Sequence, residues 1–303
     1  MLFNPRSKRN KRDPDLADRL TLALGDPARV RGPRTLEDLD TFACELHEAR
    51  PPVLAICGGD GTYHRTLTAL VRAYGSDKLP ALVLLRGGTM NTIPNGLGVR
   101  RQRPELLLHR LLKAPETLAR TQRNVLRVGD RYGFLFGTGV MYGFLAEYYR
   151  NENLSALVAA QTLARGSLSA LWGGATIKRI QEPFIGSVEL PSGERWDERP
   201  YLAIACGALE QIGLGFKPFH RSGERPGCFH ILGVHAGPMK VVTDLPRLWS
   251  GRGFRDAVAT QAVVPYARLH SSTPIRYMID GDLYQGTERE LEIGAGPSVS
   301  FLV

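Results

Sequence analysis

Three short stretches combine residue types that can do chemistry at spacings a turn can bring together. They are Gly58-Gly59-Asp60-Gly61-Thr62, Gly87-Gly88-Thr89-Met90-Asn91 and Asp280-Gly281-Asp282. Glycine lacks a Cβ and lets backbone N–H groups approach an anion closely. A single carboxylate inside such a turn would repel bare phosphate. Beside a phosphate-bound Mg²⁺, or a hydroxyl that must lose a proton, it is useful. Asp-Gly is also a common turn dipeptide, so the first stretch alone reads equally as a plain loop. Near the start, Asn4-Pro5-Arg6-Ser7 is followed by Lys8, Arg9, Lys11 and Arg12. A hydroxyl and cations suit phosphate contact, whereas a lone basic run is more often a disordered terminus.

The flanking elements must aim these turns. Val53 to Cys57 is an apolar run with the length of a buried strand. After Thr62, Leu67, Leu70 and Val71 recur at helical spacing through Tyr74, and Gly75 ends the pattern. Ala81 to Leu85 is a second buried strand that feeds the second turn. Two Gly-rich turns in successive β–α units inform far more than one. In an open parallel sheet, ligands bind at the carboxyl ends of the strands, so both turns should face one crevice. Leu2-Phe3 reads as the end of a first strand, short enough that the biological chain could begin upstream of Met1. Helices are expected over Asp15–Leu24, over Leu36–His47 with Thr35 as N-cap and Asp38 three residues on, and over Pro104–Leu112. Arg100, Arg101, Arg103, Arg110 and Lys113 make this last region basic. It reads equally as a solvated face or as one turned to phosphate or an anionic membrane.

From about residue 122 the pattern changes to short strands separated by turns. They are expected at Val125–Val128, Tyr132–Phe136, Ser187–Leu190, Tyr201–Ala205, Phe229–Leu232 and Ala257–Val264. The chain ends with Ile275–Tyr284, where Asp280-Gly281-Asp282 follows a strand, then Leu291–Ile293 and Val299–Val303. Asp280-Gly281 is a hairpin signal. Leu154 to Trp172 reads as an apolar helix, a core element or one wall of a lipid-binding cleft.

The chain has 303 residues, 43% of them hydrophobic and 23% charged, as an ordinary globular protein of two domains has. The formal charge of +9 fits an anionic partner. The four cysteines, Cys44, Cys57, Cys206 and Cys228, form no Cys-x-x-Cys pair, which speaks against zinc and against a disulfide framework. A reducing compartment is expected. The N-terminus lacks the apolar core of a secretory signal, and no run reaches the ~18 apolar residues of a membrane span. The expected location is cytoplasmic, with peripheral attachment to a membrane compatible. There is no P-loop Gly-x-x-x-x-Gly-Lys, no His-Glu-x-x-His and no Gly-x-Ser-x-Gly. No reading motif for nucleic acid accompanies the charge. What remains, two glycine-rich turns, a basic entry loop and the carboxylates Asp60, Asp280 and Asp282, is the set of parts phosphoryl transfer needs.

These residues resemble the diacylglycerol kinase catalytic-domain family, which includes bacterial lipid kinases and sphingosine kinases. Asn4-Pro5-Arg6-Ser7 is similar to the family's opening Asn-Pro-x-Ser-Gly. Gly58 to Thr62 matches its central motif, which NAD kinases share and phosphofructokinases vary. Gly87 to Asn91, with Asn95-Gly96-Leu97-Gly98 behind it, resembles its Gly-Thr-x-Asn segment. Gly213-Leu214-Gly215 and Pro218 resemble its later Gly-rich run. Asp280-Gly281-Asp282 stands where the family has Asp-Gly-Glu. The ordered set is more specific than any one motif.

The resemblance implies an α/β nucleotide-binding domain with a parallel sheet over residues 1–121. A β-rich, sandwich-like lipid-substrate domain would follow over 122–303. It implies an ATP- and Mg²⁺-dependent kinase acting on a lipid alcohol in phospholipid metabolism, peripheral on an anionic membrane, with no nucleic-acid partner; a homodimer is compatible. Asn4, Ser7, Gly58, Gly59, Asp60, Gly61, Thr62, Gly88, Thr89 and Asn91 would line the nucleotide. Asp282 would be the general base, and Asp60 would organise Mg²⁺ or the acceptor hydroxyl, with Asp280 as a further metal ligand. The chain departs from the family at Lys8 for Gly, His64-Arg65 for Asn-Glu, Thr92 for Asp, Pro226-Gly227 for an acidic Asp-Gly, and Asp282 for Glu. A soluble-substrate kinase similar to NAD kinase, and a catalytically weak nucleotide- or lipid-binding regulator, are the alternatives.

Overall fold

The computed structural model describes residues 1–150, 180, 182–213 and 215–303. The chain divides into two compact units. The first holds residues 1–125, 130–133 and 297–303; the second holds 126–129 and 134–296. The sequence places the boundary after residue 121 and assigns the whole remainder to the second domain. On this division the last seven residues instead return to the first unit.

In the first unit, β1 (Leu2–Phe3) leads to α1 (Lys8–Lys11) and α2 (Leu16–Leu24). The basic run expected as a disordered terminus is thus partly helical. Next come α3 (Leu36–Ala49), β2 (Val53–Gly58), α4 (Asp60–Tyr74) and β3 (Ala81–Arg86). Then follow α5 (Thr92–Gly96), α6 (Pro104–Lys113), β4 (Arg120–Val128) and β5 (Arg131–Gly133). The strands β1, β2 and β3 are parallel, with Phe3 opposite Cys57 and Gly58 opposite Arg86. That register brings Asn4, Gly58 and Gly87 to the same sheet edge, where a doubly wound sheet binds its ligands. The strand interiors are apolar and buried through Leu54, Ile56, Val83, Leu84 and Leu85, which explains their continuous rather than alternating pattern. Helix α3 starts on a full capping box. Asp38 N–H donates to Thr35 Oγ1 and Thr35 N–H to Asp38 Oδ2, each at 3.0 Å.

In the second unit, β6 (Leu135–Thr138) and α7 (Val140–Arg150) come first. They are followed by β7 (Phe184–Glu189), β8 (Arg195–Tyr201), β9 (Ala203–Gly207), β10 (Phe229–Val234) and α8 (Pro238–Trp249). Then come β11 (Ala259–Val264), β12 (Tyr266–Ser271), β13 (Arg276–Ile279), β14 (Asp282–Gln285) and β15 (Glu290–Leu302). One antiparallel sheet runs β11-β10-β9-β6-β13-β14. A second ladder pairs β12 with β15, and β7 with both β12 and β8, again antiparallel. A parallel α/β unit followed by an antiparallel β-rich unit is the fold class the sequence suggests. Two expected strands are broken. Tyr132–Phe136 splits at Phe134, whose N–H bonds a carboxylate instead of a neighbouring strand. Tyr201–Ala205 splits at Leu202, whose N–H and carbonyl go to Val234 and Val140. Conversely, Leu291–Ile293 and Val299–Val303 belong to one strand, β15, which ends at Leu302. The helix expected over 154–172 lies outside the described residues. All four cysteines are free.

Candidate active site

In the first unit the structure brings ten of the predicted residues to the carboxyl edge of the parallel sheet. Asn4 N–H donates to Cys57 C=O at 2.9 Å and Gly87 N–H to Gly58 C=O at 2.8 Å, so the three chain segments leave the sheet side by side. The two glycine-rich turns then pack backbone on backbone. A Cβ on Gly88 would lie 2.7 Å from Gly59 Cα, and one on Gly59 would lie 3.2 Å from Gly88 Cα. The glycines are therefore required first by each other, before any ligand.

Thr62 Oγ1 gathers the opening segment: Asn4 Nδ2 donates to it at 2.8 Å, and Ser7 Oγ lies 3.4 Å away. Asn91 is buried with φ 49°, a left-handed conformation that Asn tolerates. Its side chain closes a ring on Gly88, accepting from Gly88 N–H at 3.2 Å and donating to Gly88 C=O at 2.9 Å. Thr89 and Met90 stand exposed at the tip. The contacts of Asn91 thus shape the turn, and Thr89 stands exposed on it.

Asp60 begins α4 and reaches across to the second turn. Its Oδ1 accepts from Ile93 N–H at 3.0 Å and its Oδ2 from Thr92 N–H at 3.1 Å, capping the start of α5. Burial pushes its carboxyl above the ordinary value, against the pull of those two N–H groups and of the Arg86 charge. Two residues outside the predicted set complete the frame. Arg86 is a buried guanidinium at the end of β3, bonded to Asn95 Oδ1 at 2.7 Å and to the carbonyl of Val99. Asn10, also buried, donates to the carbonyl of Asn4 at 2.8 Å. A charge ending an otherwise apolar strand was the sequence signal for Arg86. Asn10, inside a basic run, gave none.

In the second unit Asp280 and Gly281 form the two-residue turn joining β13 to β14, and Asp282 follows as the first residue of β14. Asp280 has φ 46° and Gly281 φ 95°, as a primed hairpin turn demands. Asp280 is buried, and its carboxylate accepts from Phe134 N–H and Leu135 N–H, both at 2.8 Å. Its own N–H returns to the Leu135 carbonyl at 3.0 Å. Both oxygens of this expected metal ligand are thus engaged in tethering the hairpin to β6. Asp282, half-buried, opens β14 opposite Ile279. Tyr149 Oη donates to the Gly281 carbonyl at 2.6 Å and braces the turn.

Among the described residues, no three His, Cys, Asp or Glu side chains cluster to hold a metal. A magnesium ion carried by nucleotide phosphates needs less, since it keeps waters and takes one or two carboxylates beside phosphate oxygens. Asp60 accepts one of these hydrogen bonds on each oxygen; a carboxylate oxygen has a second lone pair to offer, so the residue fits that description. A hollow of about 370 Å³ beside His235, Pro238 and Lys240, at the start of α8, contains none of the predicted residues.

Residues 1–123 match the family model of the diacylglycerol kinase catalytic domain. None of the curated proteins matches the sequence. Three solved structures of Bacillus anthracis str. Sterne proteins share the fold at 14% identity. A "putative diacylglycerol kinase" aligns with TM-score 0.70 over 99% of this chain and 95% of its own. A diacylglycerol kinase aligns at 0.63 over 99% and 94%. A second "putative diacylglycerol kinase" aligns at 0.69 over 99% and 95%. The likeness in fold runs the length of the chain, and the match to the diacylglycerol kinase catalytic-domain model covers its first 123 residues.

Proposed function

We propose that the chain transfers the γ-phosphate of ATP to the hydroxyl of a lipid alcohol. The observation that carries this reading is the turn-on-turn packing of Gly59 and Gly88 with Asp60 fastened between them. It makes a rigid rim at the end of a parallel sheet in a unit that matches a lipid-kinase domain. Preorganisation of that kind is what phosphoryl transfer asks of a protein. The backbone of Gly58–Gly61, with Thr62, Ser7 and Asn4 on one side and Thr89 on the other, would bind and orient the phosphates. Asp60 would hold the magnesium ion that accompanies ATP; such an ion neutralises phosphate charge. Asp282 would accept the acceptor hydroxyl's proton. The hydrogen bonds of Asp280 fix the turn on which Asp282 stands.

The test is transfer of label from radiolabelled ATP to mixed lipid alcohols in detergent micelles, with NAD as a parallel acceptor. A labelled lipid is expected, and Asp60→Ala and Asp282→Ala should each abolish it. Label on NAD alone would move the chain to soluble-substrate kinases. Full activity in both variants would overturn the residue roles. A second reading, a weakly active nucleotide-binding regulator, draws on the capture of both Asp60 oxygens by α5. ATP binding without transfer to any acceptor would favour it.

A further inference from the structure

Helix α8 carries an exposed apolar stripe that its own unit leaves uncovered. Met239, Val242, Pro246 and Trp249 recur at spacings of three and four and so share one side of the helix. Met239 is 57% exposed and Trp249 is 67% exposed, an unusual position for a tryptophan. The other side is accounted for: Val241, Leu245 and Leu248 pack on the core of Phe219, Leu232, Phe254 and Val258. Trp249 rests its indole edge along Gly215, where a Cβ would lie 3.4 Å from Nε1, and turns the rest outward.

The exposed charges that α8 itself carries have one sign, while Asp256 stands exposed beside Ala257 at the hollow that Met239 and Lys240 line. Lys240 and Arg247 lie on its flank, and Arg252 follows the helix end. The backbone of Lys217 is held against that end by Leu248, at 2.9 Å. The helix's one acidic residue, Asp244, is withdrawn: it is fully buried and paired with Arg255 at 2.6 Å. An apolar stripe with tryptophan and methionine, on a helix whose own exposed charges are all cationic, has the composition of a helix that lies in a membrane interface. A second copy of the same basic face would be repelled. Among the described residues no helix is long and apolar enough to cross a membrane, so this contact is lateral.

We propose that α8 is a membrane-docking face for an anionic lipid bilayer. The proposal rests on the lipid-kinase reading only in its purpose, since bilayer binding is measured without ATP or acceptor. It places the docking surface on α8 and not on the basic segment Arg100–Lys113, where charge alone had pointed.

The test uses the full chain and sedimentation with vesicles of phosphatidylcholine and phosphatidylglycerol, with pure phosphatidylcholine as the neutral control. Binding to the anionic vesicles, weakened by salt, is expected. Met239→Ser with Trp249→Ser should lower partitioning at least about tenfold, and Lys240→Glu with Arg252→Glu about as much. All four side chains are exposed, and an unchanged melting temperature verifies the fold. Transfer to a short-chain lipid alcohol in detergent should be unaltered. Wild-type partitioning of both double variants overturns the proposal. So does loss of binding only on reversing Arg100, Arg101 and Arg103, which would assign docking to the segment leading into α6. A solution dimer dissolved by the Met239 and Trp249 changes, with vesicle binding intact, would make the occupant a second copy and also overturn it.

Discussion

The carboxylate of Asp280 decides between a tether and a metal ligand, and unfolding can read the difference. Asp280→Ala removes two hydrogen bonds to a charged acceptor at 2.8 Å, each contributing about 1.5–3 kcal/mol. It also leaves a Cβ residue without a local partner at φ 46°, which costs about 1–2 kcal/mol more. The terms share one turn and do not add fully, so the expected loss is about 4–5 kcal/mol. Asp280→Gly relieves the backbone but not the hydrogen bonds, and should be more stable than Asp280→Ala by about 1–2 kcal/mol. Asp280→Asn keeps the left-handed tolerance and one acceptor oxygen, and should lose about 2–3 kcal/mol. The assay is urea unfolding without Mg²⁺ or nucleotide, followed through the buried Trp196, with the slope checked for constancy. Wild-type midpoints in all three variants, together with a raised Mg²⁺ requirement for ATP binding, would refute the tether and restore the metal role.

Burial raises the Asp60 carboxyl, so the folded chain holds a proton there at a pH where the unfolded chain has lost it. Wild-type stability from this group therefore falls as pH rises from the ordinary aspartate value through the raised one. Asp60→Asn should gain on wild type with rising pH across that window in metal-free melts, and a flat difference would refute the assignment. Gly88→Ala drives a Cβ to 2.7 Å from the Gly59 backbone, while Gly59→Ala meets a looser 3.2 Å. Overpacking of this kind costs about 1–3 kcal/mol; Gly88→Ala should weaken ATP binding more than Gly59→Ala in calorimetric titration, and equal effects would refute the packing argument. Arg86→Met removes the bonds to Asn95 and the Val99 carbonyl, so protease nicking should begin between Gly87 and Arg103 before anywhere else in the first unit.

What the sequence revealed tracks which forces are local. β2 and β3 were legible because strands buried on both faces are continuously apolar. The ends of α2, α3 and α4 were legible through Gly25, the Thr35–Asp38 box and Gly75. The strand β8, Arg195–Tyr201, was missed because it is mostly exposed and charged, with only Trp196 and Tyr201 buried. Helix α8 was missed because Pro246 interrupts its pattern and its apolar residues fall on two sides. At the site, residue types and spacing pointed to both turns and to the Asp-Gly hairpin. They could not reveal that Asp60 caps α5, or that Asp280 binds Phe134 and Leu135, since those partners lie 32 to 33 and 145 to 146 residues away.

The departures from the family pattern take a consistent physical form in the first unit. His64, standing for Asn, is buried and engages the Tyr132 carbonyl through Nδ1 at 2.7 Å, where Thr68 also bonds Tyr132 N–H at 3.0 Å. That contact is with the scaffold, and it fastens α4 to β5. Thr92, standing for Asp, serves Asp60 through its backbone N–H, a contact any residue but proline would keep. What changes there is charge: a carboxylate next to Asp60 is gone, and one turn along α4 an exposed Arg65 replaces Glu. Removing negative charge around a carboxylate already raised by burial favours its ionised form. It also lowers the repulsion that nucleotide phosphates meet, so less of that neutralisation is left for a metal ion to supply. The site's geometry therefore tolerates the substitutions, and their effect falls on electrostatics. Thr92→Asp is the substitution that separates the two: it should leave the fold's stability nearly unchanged while weakening ATP binding in the absence of Mg²⁺ more than in its presence.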